Sequence, residues 1–385
     1  MTSADLPHRI LMGPGPSNCH PSVLEAMSRP MIGHLDPEFI KIMDETQSLL
    51  RQVMRTQNRL TLPVSGTGSA GMETCLCNLV EPGDRVLVCV NGVFGTRMAD
   101  IVERLRGELH IQQAEWGTAF EPQAIEQAIA ACHPKLVAIV HAETSTGVLQ
   151  PIEEISRIVH KAGALLLVDA VTSLGGVPVE TDLWQADALY SGTQKCLSCP
   201  PGLAPVTFGE RAVAALDARK SRVPSWYLDM GMVRKYWGSE RTYHHTAPIS
   251  MIFALNQALK LVVAEGLEAR FARHRLNHRA LVAGLEAMGL SMLVAEAYRA
   301  PMLNAVRIPD GADDRTVRAA LLSEHNIEIG GGLGPLAGKI WRIGLMGESS
   351  TRENVLALLG ALENILKSQG VRVGKGAAKA AEGVR

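Results

Sequence analysis

The sequence predicts an α/β fold built on a mainly parallel sheet, and three observations carry that reading. Short apolar runs alternate with helical stretches between residues 60 and 190, the βα rhythm of a parallel sheet covered by helices. The run 164–168 (ALLLV) is continuously aliphatic and stops at Asp169, as a strand buried on both faces would. A glycine-rich stretch, residues 65–71 (SGTGSAG), separates one predicted strand from the helix after it.

Composition narrows the function classes. The 385 residues are 46% hydrophobic and 20% charged, ordinary globular values that exclude disordered and fibrous classes and provide core for about two or three domains. Basic and acidic residues nearly cancel, 38 against 39, so no global field favours nucleic acid, anionic membrane or acidic protein partners; a small, locally recognised ligand is expected. Residues 1–9 (MTSADLPHR) lack the cationic start and apolar core of a signal peptide, and no uncharged apolar run is long enough to span a bilayer; a cytoplasmic location with reduced thiols is the expectation. Cys196 and Cys199 have CxxC spacing, but no cysteine follows them to complete a zinc site.

The elements follow in order. Residues 11–17 (LMGPGPS) are too rich in proline and glycine for a helix or central strand and form an extended loop. Helices are predicted over 21–27 and 36–56, a strand over 60–64, then the glycine-rich turn and a helix over 72–80. Strands at 85–90, 109–113, 136–141, 164–168 and 186–190 alternate with helices at 98–106, 122–132 and 152–162. A strand at 205–208 and a helical piece precede the aromatic stretch 225–237 and the segment 241–248 (RTYHHTAP), read as a loop presented to a site or a partner subunit. Helices at 250–266 and 269–288 follow, the second with arginines and histidines on a face expected to be solvated. Strands at 291–294, 304–308, 327–330 and 339–344 and helices at 315–323 and 352–367 suggest a small α+β domain. The division is an N-terminal arm (1–20), a large domain (21–266), a small domain (267–369) and an alanine-, glycine- and lysine-rich tail (370–385) expected to fray.

Chemistry concentrates at strand ends. Lys195 follows the strand 186–190 and Asp169 ends the strand 164–168, so both can face the crevice where open α/β sheets bind ligands; a plain salt bridge between them is the structural alternative. The turn 65–71 can present helix N-terminal amides and the hydroxyls of Thr67 and Ser69 to a phosphate. It also fits GxGxxG, yet the next strand ends in Asn91 rather than the acidic residue a dinucleotide ribose needs. The cluster 143–147 (ETSTG) ends the strand 136–141, where it meets a ligand or serves as a helix cap and turn. Adjacent His244 and His245 cannot both point into one metal site from a helix or strand face. Arg342 interrupts an apolar strand and needs a partner, either a bound carboxylate or an internal Asp or Glu.

A phosphate loop, a strand-ending aspartate and a strand-ending lysine, in that order, match the phosphate, ring nitrogen and aldehyde of pyridoxal phosphate. LMGPGPSN, PVSGTGS, VNGVFGTR, HAETSTGVLQP, LLLVDAVTSLGG, YSGTQKCLSCPPG, YHHTAPIS and IEIGGGLGPLAGKIWRIGLMG, with TREN after them, resemble class V aminotransferases in order and spacing, most nearly the alanine–glyoxylate and serine–pyruvate type, over residues 9–368. The resemblance implies the fold type I transferase architecture: a large domain with a mainly parallel, seven-stranded-type sheet flanked by helices, plus a small C-terminal α+β domain. It implies that Lys195 is the Schiff-base lysine and proton shuttle and that Asp169 pairs with the pyridinium nitrogen. Thr67, Gly68, Ser69 and Gln194 would bind phosphate, joined by Tyr243 and Thr246 from the other subunit of a homodimer. Thr144 would bond the phenolic oxygen, Val171 would pack one ring face and Phe94 the other, and Arg342 with the backbone near Gly15 would hold the substrate carboxylate. Two departures touch cofactor affinity: Phe94 stands where relatives often carry tryptophan, and Ser69 where some carry histidine.

The expected reaction passes the amino group of L-alanine or L-serine to glyoxylate by a ping-pong route, giving glycine. Serine–pyruvate and pyridoxamine–pyruvate transamination are the alternatives within the fold. Cysteine desulfuration is excluded because, by family analogy, it needs a mobile cysteine in the C-terminal half and none follows Cys199. The sequence also lacks the C-terminal tripeptide that directs relatives to peroxisomes. A nicotinamide dehydrogenase, opposed by Asn91, is the enzyme of another class, and a non-catalytic binding protein is opposed by Lys195 and Asp169.

Overall fold

The structure, a computed structural model, describes residues 6–385. Its centre is a seven-stranded sheet made of β1 (Leu60–Ser65), β2 (Arg85–Val90), β3 (Glu108–Gln113), β4 (Leu136–Val140), β5 (Leu165–Asp169), β6 (Ala188–Tyr190) and β7 (Leu203–Phe208), ordered β1-β7-β6-β5-β4-β2-β3. Only β7 opposes the direction of the other six strands. β4, β5 and β7 are buried along their whole length, which is why their sequences read as unbroken apolar runs instead of alternating.

Helices α1 (Pro37–Met54), α2 (Gly68–Leu79) and α3 (Val93–Arg104) belong to this layer. Asp36 caps α1 by accepting from Glu38 N at 2.8 Å, with Pro37 opening the helix, a start that sets φ in advance and leaves no proline amide to satisfy. Helices α2 and α3 begin immediately beyond β1 and β2, so both N-termini open at the carboxyl edge of the sheet.

Gly266, at φ +82°, breaks α4 (Ile249–Glu265) from α5 (Leu267–Ala287), and the two helices meet at 84°. Among the described residues no single helix is long and apolar enough to cross a membrane. Beyond the bend, β8 (Leu303–Arg307), β9 (Gly330–Gly331) and β10 (Ile340–Gly344) make an antiparallel sheet ordered β8-β10-β9. Its core joins α5 and α6 (Arg352–Ser368) through Leu281, Leu285, Leu358 and Leu362 and includes Met12 from the N-terminal segment. Residues 10 and 11 pair with 327 and 328, and Ser17 then bonds the carbonyls of Gln194 and Lys195. The N-terminal arm thus runs from the small core to the lysine loop.

Three expectations are corrected. The polar face of α5 is solvated only in part: Arg275 and Arg279 are exposed, whereas Arg270, His274 and Asn277 are buried. Arg270 donates to Gly175 O and Cys196 O and pairs with Glu265, the multiple bonding a buried guanidinium requires. The tail does not fray throughout, since α7 (Ala377–Glu382) docks on α5 and α6 with Ala377 and Ala381 fully buried. Alanine is the strongest helix former and small enough for close approach, so the low-complexity composition hid a packing surface. Residues 291–294 form no strand and contribute a single bridge, Met292 to Val306.

Candidate active site

The carboxyl edge of the sheet gathers most of the residues singled out above. Asp169 ends β5 in register with Tyr190, the last residue of β6. Its carboxylate accepts from Tyr190 Oη at 2.7 Å and from Val171 N at 2.8 Å. Burial raises its pKa to about 6 against the pull of those bonds. Lys195 lies on the loop after β6, is 7% exposed and has its pKa lowered to about 8, first by burial and then by the positive charge of Arg342. Its amine donates to Pro14 O. Asp169 and Lys195 are not joined as an ion pair: each is engaged by other groups, so the plain salt bridge is not what closes the sheet.

The phosphate-type turn is a cup. Thr67 occupies the N-cap position of α2 without a side-chain capping bond, leaving the first-turn amides open to an anion. Gly66 has φ +145°, and a Cβ there would stand 2.5 Å from that of Ala70. Gly68 sits where a Cβ would press Val171 at 3.2 Å, and Gly192 where one would press it at 3.3 Å. Ser69 Oγ accepts from Arg97 Nη1 at 2.9 Å, and the Arg97 guanidinium lies 4.9 Å from the centre of the Phe94 ring. Buried Gln194 Oε1 has no partner among the described residues.

Thr144 follows β4 and shares a hydrogen bond with Thr172. Arg342, in the middle of β10 and 7% exposed, donates from Nε to Gly331 O at 2.7 Å and from Nη1 to Thr144 O at 3.3 Å. It therefore has backbone partners where an internal carboxylate was the alternative. Its Nη2 lies 3.6 Å from the place of a Gly330 Cβ, a place that Pro14 Cδ approaches at 2.6 Å. Gly15 comes closer still to the amine, since a Cβ there would stand 2.8 Å from Lys195 Nζ.

Tyr243 and Thr246 are exposed, with 3.4 Å between their hydroxyls. They share a loop with His245, whose Nε2 meets Ser65 Oγ at 2.8 Å, next to the cup. His244 and His245 bond each other through Nδ1 at 2.8 Å, and His244 Nε2 lies 3.2 Å from Trp226 O. The carbonyl must accept, so His244 carries its hydrogen on Nε2, His245 on Nδ1, and Ser65 donates. Cys196 and Cys199 are buried thiols, and burial lifts Cys196 to about 11, which makes it a poor nucleophile.

A family model described as "Aminotransferase class-V" matches residues 11–357. The chain belongs to that family. It is a pyridoxal-phosphate-dependent transaminase, and the dinucleotide reading of residues 66–71 is set aside. Among solved structures, an alanine–glyoxylate aminotransferase from Nostoc sp. is 50% identical with a TM-score of 0.94, over 95% of this chain and 97% of that one. A ureidoglycine–glyoxylate aminotransferase from Bacillus subtilis is 43% identical with a TM-score of 0.97, over 99% and 98%. The alanine–glyoxylate aminotransferase of Oryctolagus cuniculus is 42% identical over 94% of this chain and 93% of its own length.

The site fits the cofactor by its own chemistry. The cup offers amides and hydroxyls to a phosphate, the Gln194 side-chain amide, whose NH2 can donate, lies beside it, and Val171 and Phe94 are apolar walls. The Asp169 carboxyl, raised by burial, would regain its ionised form against a protonated ring nitrogen. Glu143 was singled out only as part of the cluster 143–147, and Tyr190, Arg97 and Pro14 were given no role from the sequence. Of those three, Tyr190 carried a signal, since it ends its strand as Asp169 ends the neighbouring one.

Proposed function

We propose that this transaminase moves the amino group of L-alanine to glyoxylate in two half-reactions, releasing pyruvate and then glycine. Arg342 carries the substrate side of this reading: a buried guanidinium with two backbone partners and no carboxylate of its own, beside the Lys195 amine, is suited to a small carboxylate. The relatives' names support the acceptor, because the alanine and ureidoglycine enzymes share glyoxylate. The crowding of Gly15 and Pro14 against Lys195 and Gly330 favours a donor with a small side chain.

Each residue then has a task. Pyridoxal phosphate, when bound, supplies the electron sink that makes the substrate Cα proton removable. Asp169, oriented by Tyr190 and Val171, holds a proton on the ring nitrogen. Lys195, with its pKa lowered to about 8, holds a larger free-base fraction near neutral pH than an ordinary lysine and can take the Cα proton and return it. The amides of α2 with Thr67, Ser69 and Gln194 bind the phosphate, Thr144 bonds the phenolic oxygen, and Arg342 fixes the carboxylate.

Homodimer formation belongs to the same proposal. Trp226, Tyr227 and Tyr243 are 59%, 42% and 55% exposed around the His244–His245 pair, an apolar surface that a second copy would cover while lending Tyr243 and Thr246 to the neighbouring phosphate site. Sedimentation of the native protein and of Tyr243→Ala tests it; a monomer that retains full cofactor occupancy would exclude it.

The likeness to the Bacillus enzyme favours a second reading with (S)-ureidoglycine as donor. Visible spectra of the cofactor-loaded protein decide between them. L-alanine should bleach the band, glyoxylate should restore it, and Lys195→Ala should abolish the cycle. Bleaching by ureidoglycine or serine but not alanine would move the donor, and restoration by pyruvate but not glyoxylate would move the acceptor.

A further inference from the structure

Glu143 is fully buried at the end of the short strand 142–143 that follows β4, and none of the tasks above employs it. Its Oε2 accepts from Phe94 N at 3.2 Å, and its Oε1 accepts from the amide and hydroxyl of Ser145 at 3.0 and 2.6 Å. Ser145 Oγ in turn accepts from Val93 N at 3.0 Å. Helix α3 starts at Val93, and Gly92 before it offers no side-chain cap. Two orphan amides of α3, those of Val93 and Phe94, are therefore capped from another segment of the chain, 52 and 49 residues away in sequence, and the carboxylate faces the positive end of the helix dipole. The approach leaves no room for a side chain at Gly92, whose backbone is extended: a Cβ there would stand 2.4 Å from Glu143 Cγ and Cδ.

The same carboxylate acts on every titrating group of the site. Burial dominates the shift of each, raising Asp169 on β5 and Tyr190 on β6 and lowering Lys195 on the following loop and Arg342 on β10, and the Glu143 charge adds a smaller upward push to all four; burial raises Glu143 itself as well. Arg97, on α3 itself, stacks over the Phe94 ring.

We propose that Glu143 is a positioning residue of the transaminase site, fixing the Phe94 platform through α3 and supplying the negative charge that offsets Lys195 and Arg342. The inference rests on the cofactor and substrate roles proposed above for Phe94, Lys195 and Arg342.

Glu143→Gln and Ser145→Ala separate the two contributions. Glutamine keeps an acceptor for Ser145 but removes the charge and the second oxygen that serves Phe94 N. Alanine at 145 removes the acceptor of Val93 N and leaves the charge. In the pyridoxal-phosphate-loaded protein, the pH midpoint of the visible band should fall by at least about 0.3 unit in Glu143→Gln and hold in Ser145→Ala. Cofactor release should quicken roughly tenfold in both, and amide exchange at Phe94 should quicken in Glu143→Gln. A Glu143→Gln midpoint within about 0.2 unit of the native value, with native release and exchange rates, would overturn the proposal. Should Glu143→Gln not fold, Glu143→Asp keeps the charge, and a native midpoint with faster release is then expected; unchanged release in both Glu143→Asp and Ser145→Ala would be the contrary result. A native protein that develops no band with pyridoxal phosphate would count against the cofactor-site reading instead, and exchange at Phe94 in the cofactor-free protein would still judge the cap.

Discussion

Tyr190 Oη donates to Asp169 Oδ2 at 2.7 Å across adjacent parallel strands whose register sets the two residues side by side. Both are buried, so the bond is a charge-assisted one in a dry site. It favours the ionised carboxylate, while burial opposes it. Tyr190→Phe removes one hydrogen bond and should raise the Asp169 pKa further above about 6. A hydrogen bond to a charged group contributes about 1.5–3 kcal/mol. Pyridoxal-phosphate affinity should accordingly fall by roughly 10- to 100-fold, read by fluorescence titration, with a far-UV spectrum like that of the native protein.

The long-range contacts explain what could and could not be read in advance. The sheet was legible because strands buried on both faces announce themselves as apolar runs, as 136–140 and 165–168 do. Lys195 and Asp169 were legible because a charged residue closing such a run must be accounted for at the sheet edge. Arg270 was not legible: its helix carries arginines at several positions, and nothing local says that Arg270 is buried while Arg275 and Arg279 are exposed. Glu143 and Phe94 lie 49 residues apart in sequence, so their bond exists only through the pairing of β4 beside β2. Tyr243 and Thr246 entered by resemblance alone, and the chain leaves both exposed.

Stability should depend on pH through His274. Its Nδ1 bonds Arg270 O at 2.8 Å and its Nε2 accepts from Gly347 N at 3.0 Å, which fixes the neutral tautomer. Burial, with Arg270 nearby, lowers its pKa from 6.5 to about 3. The unfolded chain therefore binds this proton first as pH falls, and the contribution of His274, complete above about pH 6.5, is lost progressively towards about pH 3. Each pH unit within that window costs about 1.4 kcal/mol per histidine. Urea unfolding of native protein and His274→Gln from pH 7 to pH 5 should show their stability difference shrinking at about that rate. A constant difference would mean that His274 is charged in the fold or unfolds with an altered pKa.

Helix α7 should contribute to the small domain's stability although it lies in a segment of tail-like composition. Ala377 is fully buried, and its amide lies 3.4 Å from Glu363 Oε2. Ala377→Asp would bury a second carboxylate there without a partner. Such a change costs about 3 kcal/mol. A lower denaturation midpoint is expected, and an unchanged one would show that α7 undocks freely in solution.

Gly15 supplies the sharpest test of the lysine's surroundings. It has φ +107°, and a Cβ would stand 2.7 Å from Lys195 Cδ and 2.8 Å from Nζ. Alanine at 15 thus carries two penalties, a backbone angle that side chains avoid and a collision with the reactive amine. Gly83 separates them, because it has φ +85° with nothing within 4 Å of its Cβ position. Gly83→Ala should cost roughly 1 kcal/mol of stability and leave transamination intact. Gly15→Ala should carry a similar backbone cost yet lose at least about 100-fold in kcat/KM, as expected when a reacting group is displaced by about an ångström. Equal activity in the two variants would mean that Lys195 moves aside at no catalytic expense, and that the Gly15 backbone is not what holds the amine in place.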